Sequence, residues 1–390
     1  MTPRARLLTA LGRGMPDRLP ATTHHLMPSF LRAAGLSERA FFDRYDLDAI
    51  HWTTPLVATG ASLPDPHSDG GPESWSHVSG AWRVERTDVS DATFRTVRYR
   101  IVTPRGTLST VLQDDGRTVW VAERLLKRKT DLDLVAEYAP VPACDVRAVE
   151  SARIAIGYRG IVRGAIPGFP LYGQPGCWQD AAVLFGIQEL ILETYEDPAW
   201  VQALLTVLRD RKLSFVRSTA GAPFDLLELG GGDASSTVIS PRIFERFVAP
   251  FDEPLIAAAH AAGQRVVYHT CGGMMPLLDQ IAGMAPDAME TFTPKAMGGD
   301  ARLGEAKARI GSRVCMIGGF DQFHFFTGCT PADTRRAVRN AFEQAGGGGG
   351  FILAPSDHFF EAEDALIRAF ADEARACVYP DQEAAPDPAA

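Results

Sequence analysis

From about residue 150 onward, short apolar runs alternate with stretches of helical periodicity. The runs predict strands at 153–157, 224–229, 265–269, 288–291, 314–317 and 351–354. Helical patterns fill the spaces between them. One opens on Ser240-Pro241, a capping residue followed by proline at the first helical position, and runs to Ala262-Gly263. Another opens on Thr330-Pro331 and runs to the glycine tract at 346–350. The N-terminal part is mixed, with short helices predicted at 4–14, 29–34 and 38–44 and a Gly/Pro/Ser/Asp-rich loop at 60–74. Residues 75–124 instead alternate apolar and polar positions in four runs, 78–86, 93–102, 106–113 and 118–124. This texture predicts an antiparallel sheet with one solvated face, inserted into the N-terminal half.

Strands spaced by helices imply βα units around a parallel sheet. The length of 390 residues and the repetition predict a single (β/α)8 TIM barrel over 1–380, followed by a disordered tail at 381–390. Two doubly wound domains fit less well, because neither a dinucleotide fingerprint nor a linker is present. The five-glycine tract lacks Gly-Lys-Ser/Thr and precedes a strand, so it predicts a flexible connection and not a phosphate-binding loop.

Composition narrows the function. The chain is 46% hydrophobic and 22% charged, which supports a large core, and its net charge of −9 argues against nucleic-acid binding through a basic surface. No apolar stretch approaches the roughly 18 residues of a membrane span. Residues 1–14 are basic but lack the apolar core and cleavage site of a secretory signal, so a cytoplasmic protein is expected. Six cysteines at 144, 177, 271, 315, 329 and 377 are scattered without a Cys-x-x-Cys pair, which argues against a disulfide framework.

In a barrel the chemistry sits at the carboxyl ends of the strands. The predicted ends carry Gly231, Gly232 and Asp233; then His269-Thr270-Cys271; then Glu290; then Gly318, Gly319, Asp321 and Gln322; then Ser356-Asp357-His358. His269 and Cys271 stand two apart, so they share one side of an extended chain and form a zinc-type donor pair. Glu290, Asp357 and His358 are the further ligand candidates, since a catalytic zinc takes about three protein ligands. Asp233 and Asp321 are candidate acid/base groups, although either equally suits a turn or a helix cap. The glycines and Gln322 are candidate substrate contacts. Asp65-Pro66-His67-Ser68-Asp69-Gly70 matches a corrinoid-type Asp-x-His-x-x-Gly, but it lies in a loop with no βα unit and reads as coincidence.

Several segments together resemble the uroporphyrinogen decarboxylase superfamily. They are Arg4 to Pro20, Ser240-Pro241 through Pro250, Tyr268-His269-Thr270-Cys271-Gly272-Gly273-Met274, Gly318-Gly319-Phe320-Asp321 and Gly350 to Ser356. The resemblance implies a (β/α)8 barrel and a homodimer. It also implies one of two activities: decarboxylation of a tetrapyrrole, using N-terminal arginines and a buried aspartate, or zinc-dependent methyl transfer between a corrinoid protein and a thiol. His269 and Cys271 match the methyltransferase arm. The third ligand departs, because Pro355-Ser356-Asp357-His358 stands where those enzymes have Pro-Gly-Cys, leaving Asp357 or His358 to substitute. The decarboxylase arm matches less well, with Thr22-Thr23-His24-His25-Leu26 replacing its arginine-bearing segment. The expectation is therefore a zinc methyltransferase or demethylase acting on a small methyl donor or acceptor, with a corrinoid on a separate partner protein. A metal-free decarboxylase and a tetrapyrrole- or corrinoid-binding protein without turnover are the alternatives.

Overall fold

The computed structural model describes residues 1–57 and 77–380. The loop at 60–74 with its Asp-x-His motif, the first residues of the predicted insertion and the tail at 381–390 lie outside them. The chain is α/β, with a curled seven-stranded parallel sheet and a separate four-stranded antiparallel sheet. In chain order the strands are β1 (Ala49–Trp52), β2 (Arg83–Asp88), β3 (Arg95–Thr103), β4 (Gly106–Asp114), β5 (Val119–Glu123), β6 (Gly160–Ala165), β7 (Leu226–Gly230), β8 (Val266–His269), β9 (Ala288–Thr291), β10 (Cys315–Phe320) and β11 (Phe351–Pro355). The parallel sheet runs β1-β6-β7-β8-β9-β10-β11, and the antiparallel sheet runs β2-β3-β4-β5 between β1 and β6 in sequence.

Among the described residues the predicted (β/α)8 ring has seven regular strands. Where an eighth would lie, the stretch Pro20–Thr22 makes a single bridge. Ala21 pairs in parallel with Leu353 of β11. Thr22 N donates to Leu353 O at 3.0 Å, Leu353 N donates to Pro20 O at 2.9 Å, and Asp48 N, just before β1, donates to Ala21 O at 2.9 Å. Asp48 also accepts from Ala21 N at 3.1 Å and from Arg6 Nη1 at 2.5 Å.

Period-two alternation sorts each strand into two faces. One face packs on the helices. The other forms a compact apolar cluster of Ile50, Ile161, Leu226, Val267, Ala288, Cys315, Ile317, Ile352 and Ala354, drawn from all seven strands. The first helix, Pro3–Leu11, closes its end with Leu7, Ala10 and Leu11. Two residues further along the same face stand Trp52, Arg163, Glu228, His269 and Glu290, so the apolar floor carries a polar layer above it. Apolar residues of the small sheet, among them Val84, Val97, Tyr99 and Leu112, join the same core as the outer face of the large sheet.

Three local expectations change. Residues 153–157 are not a strand but the end of the helix Val146–Ile156, which Asp145 caps at Ala148 N. The Arg-Ile-Ala-Ile-Gly run looks extended, yet Ile154 is 73% exposed and the strand begins only at Gly160. The helix from Ser240 is two helices, Pro241–Phe247 and Ala249–Ala261, divided at Val248. The glycine tract is a tight connection: Gly350 N donates to Gly14 O at 3.2 Å, and a side chain at Gly349 would meet the Gly14 backbone. By contrast Thr330 forms a full capping box with Asp333 for the helix Pro331–Ala345.

Leu226 is fully buried in the inner cluster. Leu226→Ala should lower the free energy of unfolding in denaturant by about 2–5 kcal/mol, whereas Ile154→Ala on the exposed helix face should change it by less than about 0.5 kcal/mol.

Candidate metal centre

The polar layer is built around one buried cation. Arg163 on β6 is 1% exposed and reaches two glutamates. Nη1 donates to Glu290 Oε2 at 2.8 Å, Nη2 donates to Glu290 Oε1, and Nη2 also donates to Glu228 Oε2 at 2.6 Å. Its guanidinium lies over the Trp52 ring, 4.1 Å from the centroid, a cation–π contact in a desolvated setting. Trp52 in turn donates from Nε1 to the His24 carbonyl at 3.0 Å. His24 and His269 face each other with ring centroids 5.1 Å apart.

Glu290, itself 1% exposed, also accepts from His269 Nδ1 at 2.8 Å. Burial opposes ionisation of Glu290. The Arg163 charge, the charge and hydrogen bond of His24 and the hydrogen bond from His269 outweigh it and hold the carboxyl well below its ordinary range. For His269, burial favours the neutral ring. Hydrogen bonds with Cys271 and Glu290, with the negative field of Glu228 and Glu290, outweigh burial and raise its pKa well above the ordinary value. His25, packed edge-on to Trp52, goes the other way, to about 3, through burial and the charges of His24, His358 and Arg163.

The chain after β11 brings Asp357 and His358 beside His24. Asp357 accepts from His358 Nδ1 at 3.0 Å and from His358 N at 2.8 Å. The Asp357 carboxyl is opposed by burial, but the hydrogen bond and charge of His358 and the charges of His24 and His269 hold it below its ordinary range. Among the described residues two groups of three bring their ligand atoms within 4.8 Å of one another: His24, His269 and Glu290, and His24, Asp357 and His358.

Of the five expected metal ligands, His269 and Glu290 fall in the first group and Asp357 and His358 in the second, with His24 common to both. Cys271 is in neither group. It meets His269, and a Cβ at Gly232 would come within 2.6 Å of its Sγ, so the glycine makes room for the thiol. Glu290 is occupied by Arg163 and His269, which makes it an orienting partner for the imidazole.

The remaining candidates have local work. Asp233 pairs with Gln179, whose Nε2 donates to Oδ2 at 3.0 Å, and burial raises its pKa against that bond. Asp321 caps the helix Gln322–Phe325 and accepts from His324 N and Nδ1. Gln322 braces the loop after β11, accepting from Ser356 N at 3.1 Å. A Cβ at Gly231 would strike Gln179, one at Gly318 the Thr291 backbone, and one at Gly319 Leu303, so packing explains all three glycines. Cys144 and Cys377 are buried, with pKa values pushed up to about 11, and Cys315 up to about 12, as for core thiols.

His24, Arg163, Trp52 and Glu228 are members of the layer that were not among the expected site residues. Arg163 and Glu228 stand alone as charges in apolar strand runs, and His24-His25 is a histidine pair directly after the Pro20 bridge. Each was a readable signal.

Residues 153–375 match the family model described as Uroporphyrinogen decarboxylase (URO-D), more than half of the chain, and the chain belongs to that family. A relative named Uroporphyrinogen decarboxylase from Nocardia farcinica (strain IFM 10152) is 27% identical over 233 residues, which cover 54% of this chain and 63% of the relative. This chain thus matches less than two thirds of that relative's length. Among solved structures, a methyltransferase from Methanosarcina mazei superposes with a TM-score of 0.64 at 15% identity, covering 96% of this chain and 98% of its own, and so shares the fold. Among the described residues no helix is long and apolar enough to cross a membrane.

Removing the buried cation should be costly. Arg163→Met leaves Glu290 and Glu228 without their partner and should lower unfolding free energy by about 3–5 kcal/mol. Adding Glu290→Gln should recover part of that loss in the same denaturant titration.

Proposed function

We propose that this chain is a metal-dependent methyl-transfer enzyme of its family, with zinc as the metal and a corrinoid on a separate protein as the methyl carrier. The observation that carries the proposal is the convergence of donor atoms on His24, which forms one group within 4.8 Å with His269 and Glu290 and a second with Asp357 and His358. We take the Pro20–Thr22 bridge as the eighth stave of a (β/α)8 ring, which puts this convergence at the mouth. Imidazole and carboxylate donors suit zinc among the divalent first-row cations. When bound, the metal supplies a Lewis acid that favours the thiolate or alkoxide form of an acceptor.

The chain's own groups do the rest. Arg163 and Glu290 fix the His269 ring and its protonated Nδ1. His269 and Cys271, two residues apart, are the groups that would pass a proton to or from the acceptor. The methyl group leaves its carrier as a methyl cation equivalent, the bonding pair stays on the carrier, and an acceptor lone pair forms the new bond. A cytoplasmic homodimer belongs to the same proposal.

Decarboxylation is the second reading, favoured by the Nocardia relative. Against it, the N-terminal arginines are already engaged. Arg4 pairs with Asp225 at 2.6 Å, and Arg6 pairs with Asp17 at 2.7 Å and with Asp48. They are not free to receive substrate carboxylates.

The test is demethylation of methylcobalamin, followed by its absorption spectrum, with a panel of thiols as acceptors. Zinc-loaded protein should form cob(I)alamin and the methylated thiol, and a chelator should remove the activity by at least about 100-fold, the loss expected of an essential Lewis acid. Metal-independent release of carbon dioxide from an acidic tetrapyrrole, with no cobalamin turnover, would establish the second reading instead.

A further inference from the structure

We infer that the cation of this site is held by His24, Asp357 and His358, a two-histidine, one-carboxylate set, with the Cys271 side chain outside its coordination shell. The inference rests on the metal-dependent reading above and names the ligands within it.

Three observations support this set over the His-x-Cys pair. First, the ligand atoms of His24, Asp357 and His358 lie within 4.8 Å of one another, and among the described residues Cys271 belongs to no such group. The His24 and His358 rings are near parallel, with centroids 6.5 Å apart and planes 22° apart.

Second, the rival trio of His24, His269 and Glu290 has its carboxylate already taken. Both Glu290 oxygens accept from the Arg163 guanidinium, and Oε1 also accepts from His269 Nδ1. A cation bound to Glu290 would displace those bonds and face a guanidinium that is fully buried. Like charges repel strongly at such range in a medium of low dielectric.

Third, both ends of the chosen set are held while its outer side stays open. Trp52 Nε1 fixes the main chain at His24, and Gln322 fixes the loop at Ser356. The Asp357 and His358 side chains keep 34% and 40% of their surface exposed, which leaves room for a substrate ligand. This arrangement of two imidazoles and one carboxylate accepts several divalent first-row cations, with nitrogen and oxygen donors only.

The experiment is cobalt(II) and zinc(II) titration of chelator-treated full-length protein, read by bound-metal stoichiometry, calorimetry and the cobalt absorption spectrum. One cation per chain should bind. The cobalt form should lack a sulfur-to-metal charge-transfer band, and Cys271→Ser should change affinity by less than about threefold. His24→Gln, Asp357→Asn and His358→Gln should each weaken binding by at least about 100-fold, since even outer partners of a ligand typically contribute 10–100-fold. Circular dichroism and thermal melting of each variant confirm that the fold survives, and His324→Gln serves as a remote control that should bind normally. A charge-transfer band that vanishes in Cys271→Ser would overturn this ligand set and leave the metal-dependent reading standing. Absence of any bound cation in well-folded wild-type protein would overturn both.

Discussion

The interior of this molecule depends on how one guanidinium is accommodated away from water. Arg163 is enclosed by the strands and meets two carboxylates, Glu228 and Glu290, and the face of Trp52. One positive charge against two negative ones leaves a deficit. His269 makes it good, which explains why its proton is held so firmly despite burial. The order of the layers follows from this. Below lies an apolar floor that needs no partners, then the charged layer whose members satisfy one another, then His24 beside the half-exposed Asp357 and His358.

Such a layer is an expensive way to fill space. Taking ions out of water costs several kcal/mol each, and well-packed apolar side chains of similar volume often stabilise a core as well or better. The worth of the arrangement lies in direction. A guanidinium fork accepts a carboxylate in one plane, the carboxylate then fixes the imidazole by its Nδ1, and the ring edge facing the pocket is set without adjustment when a substrate arrives. The same Arg163 reaches His24 through Trp52, so the two facing histidines share one anchor.

Much of the architecture could be read from residue order. β9 begins and ends where its apolar run does, the four-stranded sheet matches its alternating runs, and the Thr330-Pro331 start carries the cap that it announces. His269, Glu290, Asp357 and His358 were legible because glycine-rich or polar residues follow strand patterns at those points. β6 was hidden, because an Ile-Ala-Ile run at the end of a helix imitates a strand and the true strand contains Arg163. That misplacement concealed the centre of the polar layer, since a charge in an apolar strand makes sense only when its cross-strand partners on β7 and β9 are known. His24 was obscure for a different reason. It follows a bridge of a few residues, too short to show a period, and its neighbours come from the far end of the chain. The grouping of His24 with Asp357 and His358 therefore depends on contacts between distant parts of the chain, which local pattern does not encode.

The Pro20–Thr22 bridge also bears on how the molecule is assembled. Its main chain bonds to both margins of the parallel sheet, through Leu353 on one side and Asp48, just before β1, on the other. His24 hangs from its end, while Asp357 and His358 hang from the margin it meets. An occupant gripped by all three would act as a rivet through that joint, fastening the Pro20–Thr22 stretch to β11. The pocket would then be a late product of folding, with occupancy and completion of the architecture rising together.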